Sequence, residues 1–311
     1  MWPGEATQSG GFETRGGERV SVVIPHFNDS SSLERAVESA LAQTVAPHEI
    51  IVVDDASEPA HLDRARCLLR GVPGARLIER PSNSGPARCR NVGWEAATGE
   101  LVAFLDSDDV WQREKTERQL QLLRERPELI AVSGAYGRLQ TGEAMADLPA
   151  RAAHRDVPTS HLLIRNSMAT PTVLVRARAR SRFPERVRFA EDHHLWLELS
   201  REGAIAWVEA PVAAGFKRPV GESGLSGHVW RMLASEFSIF ERLRRAGVLT
   251  ARQTMFAWAV LTLRGSRRLA KHYAHRATRA ISKLRIPAPA LPPAPQTARS
   301  ARKRAPETDK R

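Results

Sequence analysis

Four short apolar runs near the start of the chain restrict its fold more than any other feature. Val20–Ile24, Ile50–Val53, Ala75–Ile78 and Leu101–Leu105 have the length of strands, and their β-branched, non-alternating character is that of strands covered on both faces. Helical spacing fills the gaps. Leu33, Ala36, Val37, Ala40 and Leu41 follow three serines able to cap a helix, His61–Leu69 is closed by Gly71, and Asn83-Ser84-Gly85-Pro86 opens a helix that runs to Ala97 and is ended by Gly99. Strands alternating with helices imply parallel pairing through crossovers, an α/β fold.

In such sheets ligands gather at the carboxyl ends of the strands. Three of these ends are polar: Pro25 to Asn28, where proline is expected to stop the first strand, then Asp54-Asp55, then Asp106-Ser107-Asp108-Asp109. Three carboxylates in four residues repel one another, so the last cluster suits a place where a cation or a phosphate-bound metal neutralises it. Alone it reads equally well as a solvated turn or cap. Convergence of the three ends on one sheet edge favours a nucleotide or phosphate crevice. No strand is followed by a Gly-rich phosphate fingerprint, which leaves metal and basic side chains to hold the phosphates.

The 311-residue chain carries a net charge of +12. From Arg264 to Arg311 there are 14 Lys and Arg against 2 Asp and Glu, so the tail holds the whole excess and the body is neutral. Basic residues there are not interleaved with stacking aromatics, which argues against nucleic acid. Cys67 and Cys89 make neither a disulfide framework nor a metal-ligand spacing and read as packing residues in a reducing interior. Residues 1–18 lack the apolar core of a secretory signal, and no run approaches the roughly 20 apolar residues that span a bilayer. A cytoplasmic protein is expected, with peripheral contact on the inner face of the membrane left open.

Beyond Trp111 a charged helix reaches Arg126, a strand covers Ile130–Ser133, and Gly137–Ser160 is loop-like. Leu162–Asn166 leads to an expected strand over Ala169–Arg176. Glu191 and Asp192 then open an apolar helix, where acids suit the N-terminal end whether or not they have a further role. His193 and His194 are adjacent and point to different faces, so one buried and one exposed histidine is expected rather than a metal pair. Trp230, Leu233, Phe237, Phe240 and Leu243 lie at near-helical spacing, and a basic helix over Gly265–Leu284 could lie on an anionic membrane. The Pro-rich stretch after Ile286 is expected to be disordered.

Over Val20 to Arg218 the chain resembles a family-2 glycosyltransferase of the GT-A fold. The resemblance rests on ordered motifs: Val22-Val23-Ile24-Pro25-His26-Phe27-Asn28, Ile51-Val52-Val53-Asp54-Asp55-Ala56-Ser57, Asn83 through Gly93, Phe104-Leu105-Asp106-Ser107-Asp108-Asp109, and Glu191-Asp192 before Leu195-Trp196-Leu197. It implies inverting transfer of a sugar from a nucleotide-sugar donor to an acceptor hydroxyl. Pro25, Phe27 and Asn28 would line the base pocket, with Phe27 as stacking surface. Asp54 and Asp55 would recognise base or ribose, and Arg88 the diphosphate. Asp106, Asp108 and Asp109 would hold Mg²⁺ or Mn²⁺ and the donor. Asp192 would be the base, with Glu191 as runner-up. Lys217, Arg218 or His228 could reach the diphosphate from a mobile loop. His26 is not required by the motif, and Cys89 stands where the family usually carries alanine.

The implied organisation is a disordered segment 1–18, a GT-A domain 19–227 with a mainly parallel sheet flanked by helices, a helical extension 228–285 and a basic tail 286–311. The implied partners are a UDP-, GDP- or dTDP-sugar and a sugar, lipid-linked sugar or glycoconjugate acceptor in polysaccharide or glycoconjugate synthesis. Two other readings use the same acidic turn: a sugar nucleotidyltransferase, which would release pyrophosphate, and a non-catalytic nucleotide-sugar-binding scaffold.

Overall fold

A computed structural model describes residues 18–140, 142–149, 152–187, 189–216 and 229–266. The expected strands and helices of the first hundred residues are present as β1 (Val20–His26), α1 (Ser30–Leu41), β2 (Glu49–Asp54), α2 (Pro59–Arg70), β3 (Ala75–Glu79), α3 (Pro86–Ala96) and β4 (Leu101–Phe104). Strands β1, β2 and β4 are buried along their whole length. Each fully buried Val, Ile or Leu contributes about 1.5–3 kcal/mol, so these strands anchor the body.

Two details differ from expectation. Proline does not stop β1: Pro25 lies inside the strand, opposite Val53. Leu105 N–H donates to the Val23 carbonyl and Asp55 N–H to that of His26, so residues 23 and 25 face the β4 side while 24 and 26 face β2. Pairing with β4 ends at Val23, and the missing N–H of Pro25 falls beyond that partner. The cap of α1 is Asp29, which accepts from Ser32 N–H at 3.2 Å; the three serines form the first turn instead.

The rest of the nine-stranded sheet is mixed, in the order β3-β2-β1-β4-β8-β6-β9-β5, with β7 (His154–Asp156) on β9. Strand β5 (Asp109–Trp111) leaves the acidic turn, α4 (Lys115–Glu125) follows, and β6 (Leu129–Arg138) runs longer than expected. The strand expected over residues 169–176 is a 3-10 turn, Thr170–Thr172, followed by β8 (Leu174–Arg176), because Pro171 and a Thr172 hydroxyl bonded to the Ala169 carbonyl hold the turn. Strand β8 pairs antiparallel with β4 and β6, and β9 (Ala204–Gly215) pairs antiparallel with β5. Nothing in the apolar pattern announces β9, since Glu209 and Pro211 interrupt it; the register on β6 shifts beside Pro211.

Helices α5 (Thr159–Ile164), α6 (Glu191–Glu202) and α7 (Val229–Arg245) cover this half, and residues 251–266 are also helical. Phe240 and Leu243 of α7 are buried, as their spacing suggests. The loop 217–228, the expected basic helix from 267 onward and the two termini lie outside the described residues. Among the described residues no helix is long and apolar enough to cross a membrane.

Candidate active site

The carboxyl ends of β1 and β2 form one wall. His26 Nδ1 lies 2.8 Å from Asp54 Oδ1, both side chains buried, and Asp54 Oδ2 accepts from Ser57 N–H at 2.9 Å. Asp55 accepts from Arg80 Nη1 at 2.9 Å, from Ser84 N–H at 3.0 Å and from Gly85 N–H at 2.7 Å, tying the turn before α3 to the strand end. Burial is affordable for these two acids because each oxygen has a donor. Asn28 adopts a left-handed φ of 51° and its Oδ1 accepts from Glu58 N–H, which turns the chain sharply and leaves Phe27 48% exposed at the edge. An exposed ring above a polar, rigid strand end is suited to stacking on a flat ligand.

The acidic turn is closed by Asp109 N–H donating to the Asp106 carbonyl at 3.0 Å. It brings ligand atoms of Asp106, Asp108 and Asp109 within 4.8 Å of one another, a carboxylate donor set that fits a hard divalent cation. Asp109 is placed by its neighbours. Its Oδ1 accepts from the Tyr136 hydroxyl of β6 at 2.6 Å, and burial next to Asp109 pushes the Tyr136 phenol up, keeping it a donor. Across the sheet Asp109 faces Gly215, where a side chain would strike both the Tyr136 hydroxyl and the Asp109 carboxylate.

Asp106 is held by Arg90 of α3. Arg90 Nη2 donates to Asp106 Oδ1 at 2.6 Å, Nη1 reaches Glu191 Oε1 at 3.4 Å, and the guanidinium lies over the Phe183 ring at 5.3 Å. Burial works against its charge, but Asp106 and Glu191 outweigh that cost and hold its pKa above the ordinary value. Helix α3 brings Arg90 this close because Gly93, a turn later, packs where any Cβ would meet Val23 of β1. Arg88, the residue marked by the motif, is instead paired with Glu185. Cys89 between them is buried in packing, its thiol pushed up to about 12 by burial and then by Asp55, whereas Cys67 is exposed.

The start of α6 faces this arginine. Ala190 takes a left-handed φ of 58° at the cap, and Glu191 and Asp192 occupy the first turn. Burial raises the Glu191 carboxyl above its usual range, Arg90 opposing and Asp192 reinforcing the effect. Asp192 Oδ2 accepts from Asn166 Nδ2 at 3.1 Å, and its Oδ1 from His193 N–H at 2.7 Å. His193 is buried, with Nε2 at 2.7 Å from the Leu162 carbonyl and its ring edge-on to Phe240. His194 is half-buried rather than exposed; burial pulls it down to about 4. Neither histidine belongs to the acidic cluster.

Acidic turn, arginine and acidic helix start are thus one connected polar unit. Arg90 stands inside a motif legible in the sequence, but only coordinates distinguish it from Arg88. Tyr136, Asn166 and Gly215 have no local signature, since each acts through a contact far along the chain.

Residues 21–162, a little under half of the chain, match the model for "Glycosyl transferase family 2", and the mixed α/β sheet matches that of GT-A glycosyltransferase structures. A putative teichuronic acid biosynthesis glycosyltransferase, TuaG of Bacillus subtilis, is 26% identical over 235 residues, which cover 75% of this chain and 91% of that protein. S. aureus TarS residues 1–349, solved in complex with UDP-GlcNAc, is similar with a TM-score of 0.61 and 20% identity over 78% of this chain and 71% of that one. The mannosyltransferase PcManGT from Pyrobaculum calidifontis, solved in complex with GDP-Man and Mn²⁺, is similar with a TM-score of 0.55 and 19% identity over 84% of this chain and 81% of that one.

Proposed function

We propose that this protein is a glycosyltransferase that moves a sugar from a nucleoside-diphosphate donor to an acceptor hydroxyl with inversion, in the synthesis of a polysaccharide or other glycoconjugate. The observation that carries this reading is the convergence of three aspartates on one turn, one arginine away from a second pair of acids. Phe27, with Pro25 and Asn28 shaping the edge, stacks the base, and Asp54 and Asp55 hold the two loops that frame it. Asp108 and Asp109, with Asp106 secured by Arg90, are the residues that would hold Mg²⁺ or Mn²⁺. When bound, that ion neutralises the charge building on the departing diphosphate. PcManGT with its GDP-Man and Mn²⁺ and TarS with its UDP-GlcNAc support the donor class.

Asp192 takes the acceptor proton. Neutral donors, an amide side chain and a helix N–H, orient its carboxylate, whereas Glu191 is committed to Arg90 and positions the helix start. Arg88, if it leaves Glu185, is a second cation for the diphosphate. The acceptor class, a free sugar, a lipid-linked sugar or a glycoconjugate, is set by the half of the cleft around α6.

The test is nucleoside diphosphate release from UDP-, GDP- and dTDP-sugars with Mn²⁺ or Mg²⁺, together with donor-dependent thermal shifts. The proposal expects release that is abolished by chelation and restored by either ion. Pyrophosphate release from a nucleoside triphosphate in the presence of a sugar 1-phosphate would instead make the protein a nucleotidyltransferase, and donor binding without turnover a scaffold.

A further inference from the structure

The helix over residues 251–266 is apolar on two opposite sides. One side is packed on the body: Thr254, Ala257 and Leu261 are buried and Trp258 donates to the Phe237 carbonyl. At 100° per residue the opposite side carries Met255, Ala259, Leu263 and Phe256, all exposed, with Met255 at 67%, Leu263 at 59% and Phe256 at 48%. A surface helix of a soluble body normally turns charged residues outward. Here the outward face holds a single charge, Arg252. Three of the five large apolar side chains exposed on the described residues therefore lie on this one face, and the active-site reading uses none of them.

The helix over residues 251–266 carries two cations, Arg252 and Arg264, and no aspartate or glutamate. Before it stands Arg242, beside Arg244 and Arg245, which are paired with Glu241. The sequence that follows is basic as well: from Arg267 to Pro306 it holds no aspartate or glutamate. Apolar side chains presented outward among cations match the boundary between the headgroups and acyl chains of an anionic bilayer. A nucleic acid would use the cations but not Met255, Phe256 and Leu263. A second copy of the chain would meet the same positive charge.

We propose that the face formed by Met255, Phe256, Ala259 and Leu263 seats on an anionic lipid surface, with Arg252 and Arg264 of the same helix and Arg242 before it supplying the attraction. The apolar residues enter the acyl boundary and the cations engage lipid phosphates, so both are needed for tight binding. The inference is independent of the transfer reaction: it concerns the opposite end of the chain from the acidic turn and is tested by binding alone.

The experiment is flotation of the full-length protein with vesicles of neutral phosphatidylcholine or of phosphatidylcholine containing about a third phosphatidylglycerol, at roughly 0.1 M salt. Wild type is expected to float with the anionic vesicles and not with the neutral ones. Met255→Ser/Phe256→Ser/Leu263→Ser is expected to weaken that binding by roughly tenfold or more, with thermal stability unchanged because the three side chains face outward. Should the triple variant misfold, Leu263→Ser alone is expected to give a smaller loss in the same direction. Wild-type binding to neither vesicle, or equal binding by the folded variant, would overturn the proposal. So would a wild-type dimer in light scattering that the variant converts to monomer, which assigns the face to a second copy. Tight binding of duplex DNA or tRNA that the triple substitution leaves intact, with no vesicle binding, would assign the charge to nucleic acid.

Discussion

The two halves of the sheet hold their acids in different ways. In the parallel half, Asp54 and Asp55 are buried among donors supplied by neighbouring loops: a histidine, an arginine and three backbone N–H groups. In the mixed half, Asp106, Asp109 and Glu191 are gathered from distant elements and share a few long-range donors, Arg90 and Tyr136. The first arrangement fixes the shape of the strand-end edge beside Phe27. The second leaves carboxylates crowded against one another, a state that is costly until positive charge joins them. Architecture and reactivity are thereby divided between two sets of superficially similar aspartates.

The largest effects should fall on the crowded set. Asp108→Ala and Asp192→Asn are each expected to lower kcat by on the order of 10²–10⁴-fold while leaving the thermal unfolding profile intact, whereas Asp54→Ala should lower stability first. Equal turnover in either of the first two variants would break the division. Arg90→Met leaves two partly buried acids without their common cation and is expected to cost about 1–3 kcal/mol in denaturant unfolding. Adding Glu191→Gln should return part of that loss, a coupling of about 0.5–3 kcal/mol between the two sites. Additive losses would show that Arg90 and Glu191 do not act through each other.

The same division decides what could be read from the sequence. Strands β1 to β4 alternate with helices over short distances, so apolar runs and turn residues such as Gly71 and Asn83 locate them, and the polar strand ends follow directly. The mixed half is assembled by pairing of β8, β6, β9 and β5 across long stretches of chain, which local periodicity does not encode. Family resemblance was needed to bring Glu191 and Asp192 to the acidic turn at all. Even then the motif marked Arg88, whereas Arg90 is the arginine that reaches the acids, because Gly93 lets α3 lie close on β1. Pro25 misled because a proline stops a ladder only where a partner strand is present to miss its N–H.

A subtler test separates shape from charge within the crowded set. Gly215→Ala adds one methyl where the Tyr136 hydroxyl and the Asp109 carboxylate now meet. The expected result is a 10–100-fold weaker affinity for Mn²⁺, read by calorimetry without turnover, of the order seen when a partner of a metal ligand is disturbed. Tyr136→Phe removes the hydrogen bond without adding bulk and should weaken the ion in the same direction but less. If both variants bind Mn²⁺ as wild type does, Asp109 is not part of the ligand set and the turn relies on Asp106 and Asp108.

The smallest effect concerns a cation behind the site. Lys115 at the start of α4 is fully buried, its Nζ donating to Gln119 Oε1 at 2.8 Å and lying 4.2 Å from the centre of the Trp111 ring. Burial pulls its pKa down from 10.5 to about 7. The unfolded chain therefore binds more protons than the folded one between about pH 7 and 10.5, and stability due to this group rises with pH across that window and is lost as pH falls toward 7. In Lys115→Met that slope should disappear, leaving the variant no less stable than wild type near pH 7, because an apolar chain of similar length replaces a charge the core tolerates poorly. Denaturant midpoints for both proteins at pH 7, 8 and 9 make the measurement; a wild-type curve parallel to that of the variant would mean the lysine stays charged, held by Trp111 and Gln119, and would move it from a cost of the fold to one of its supports.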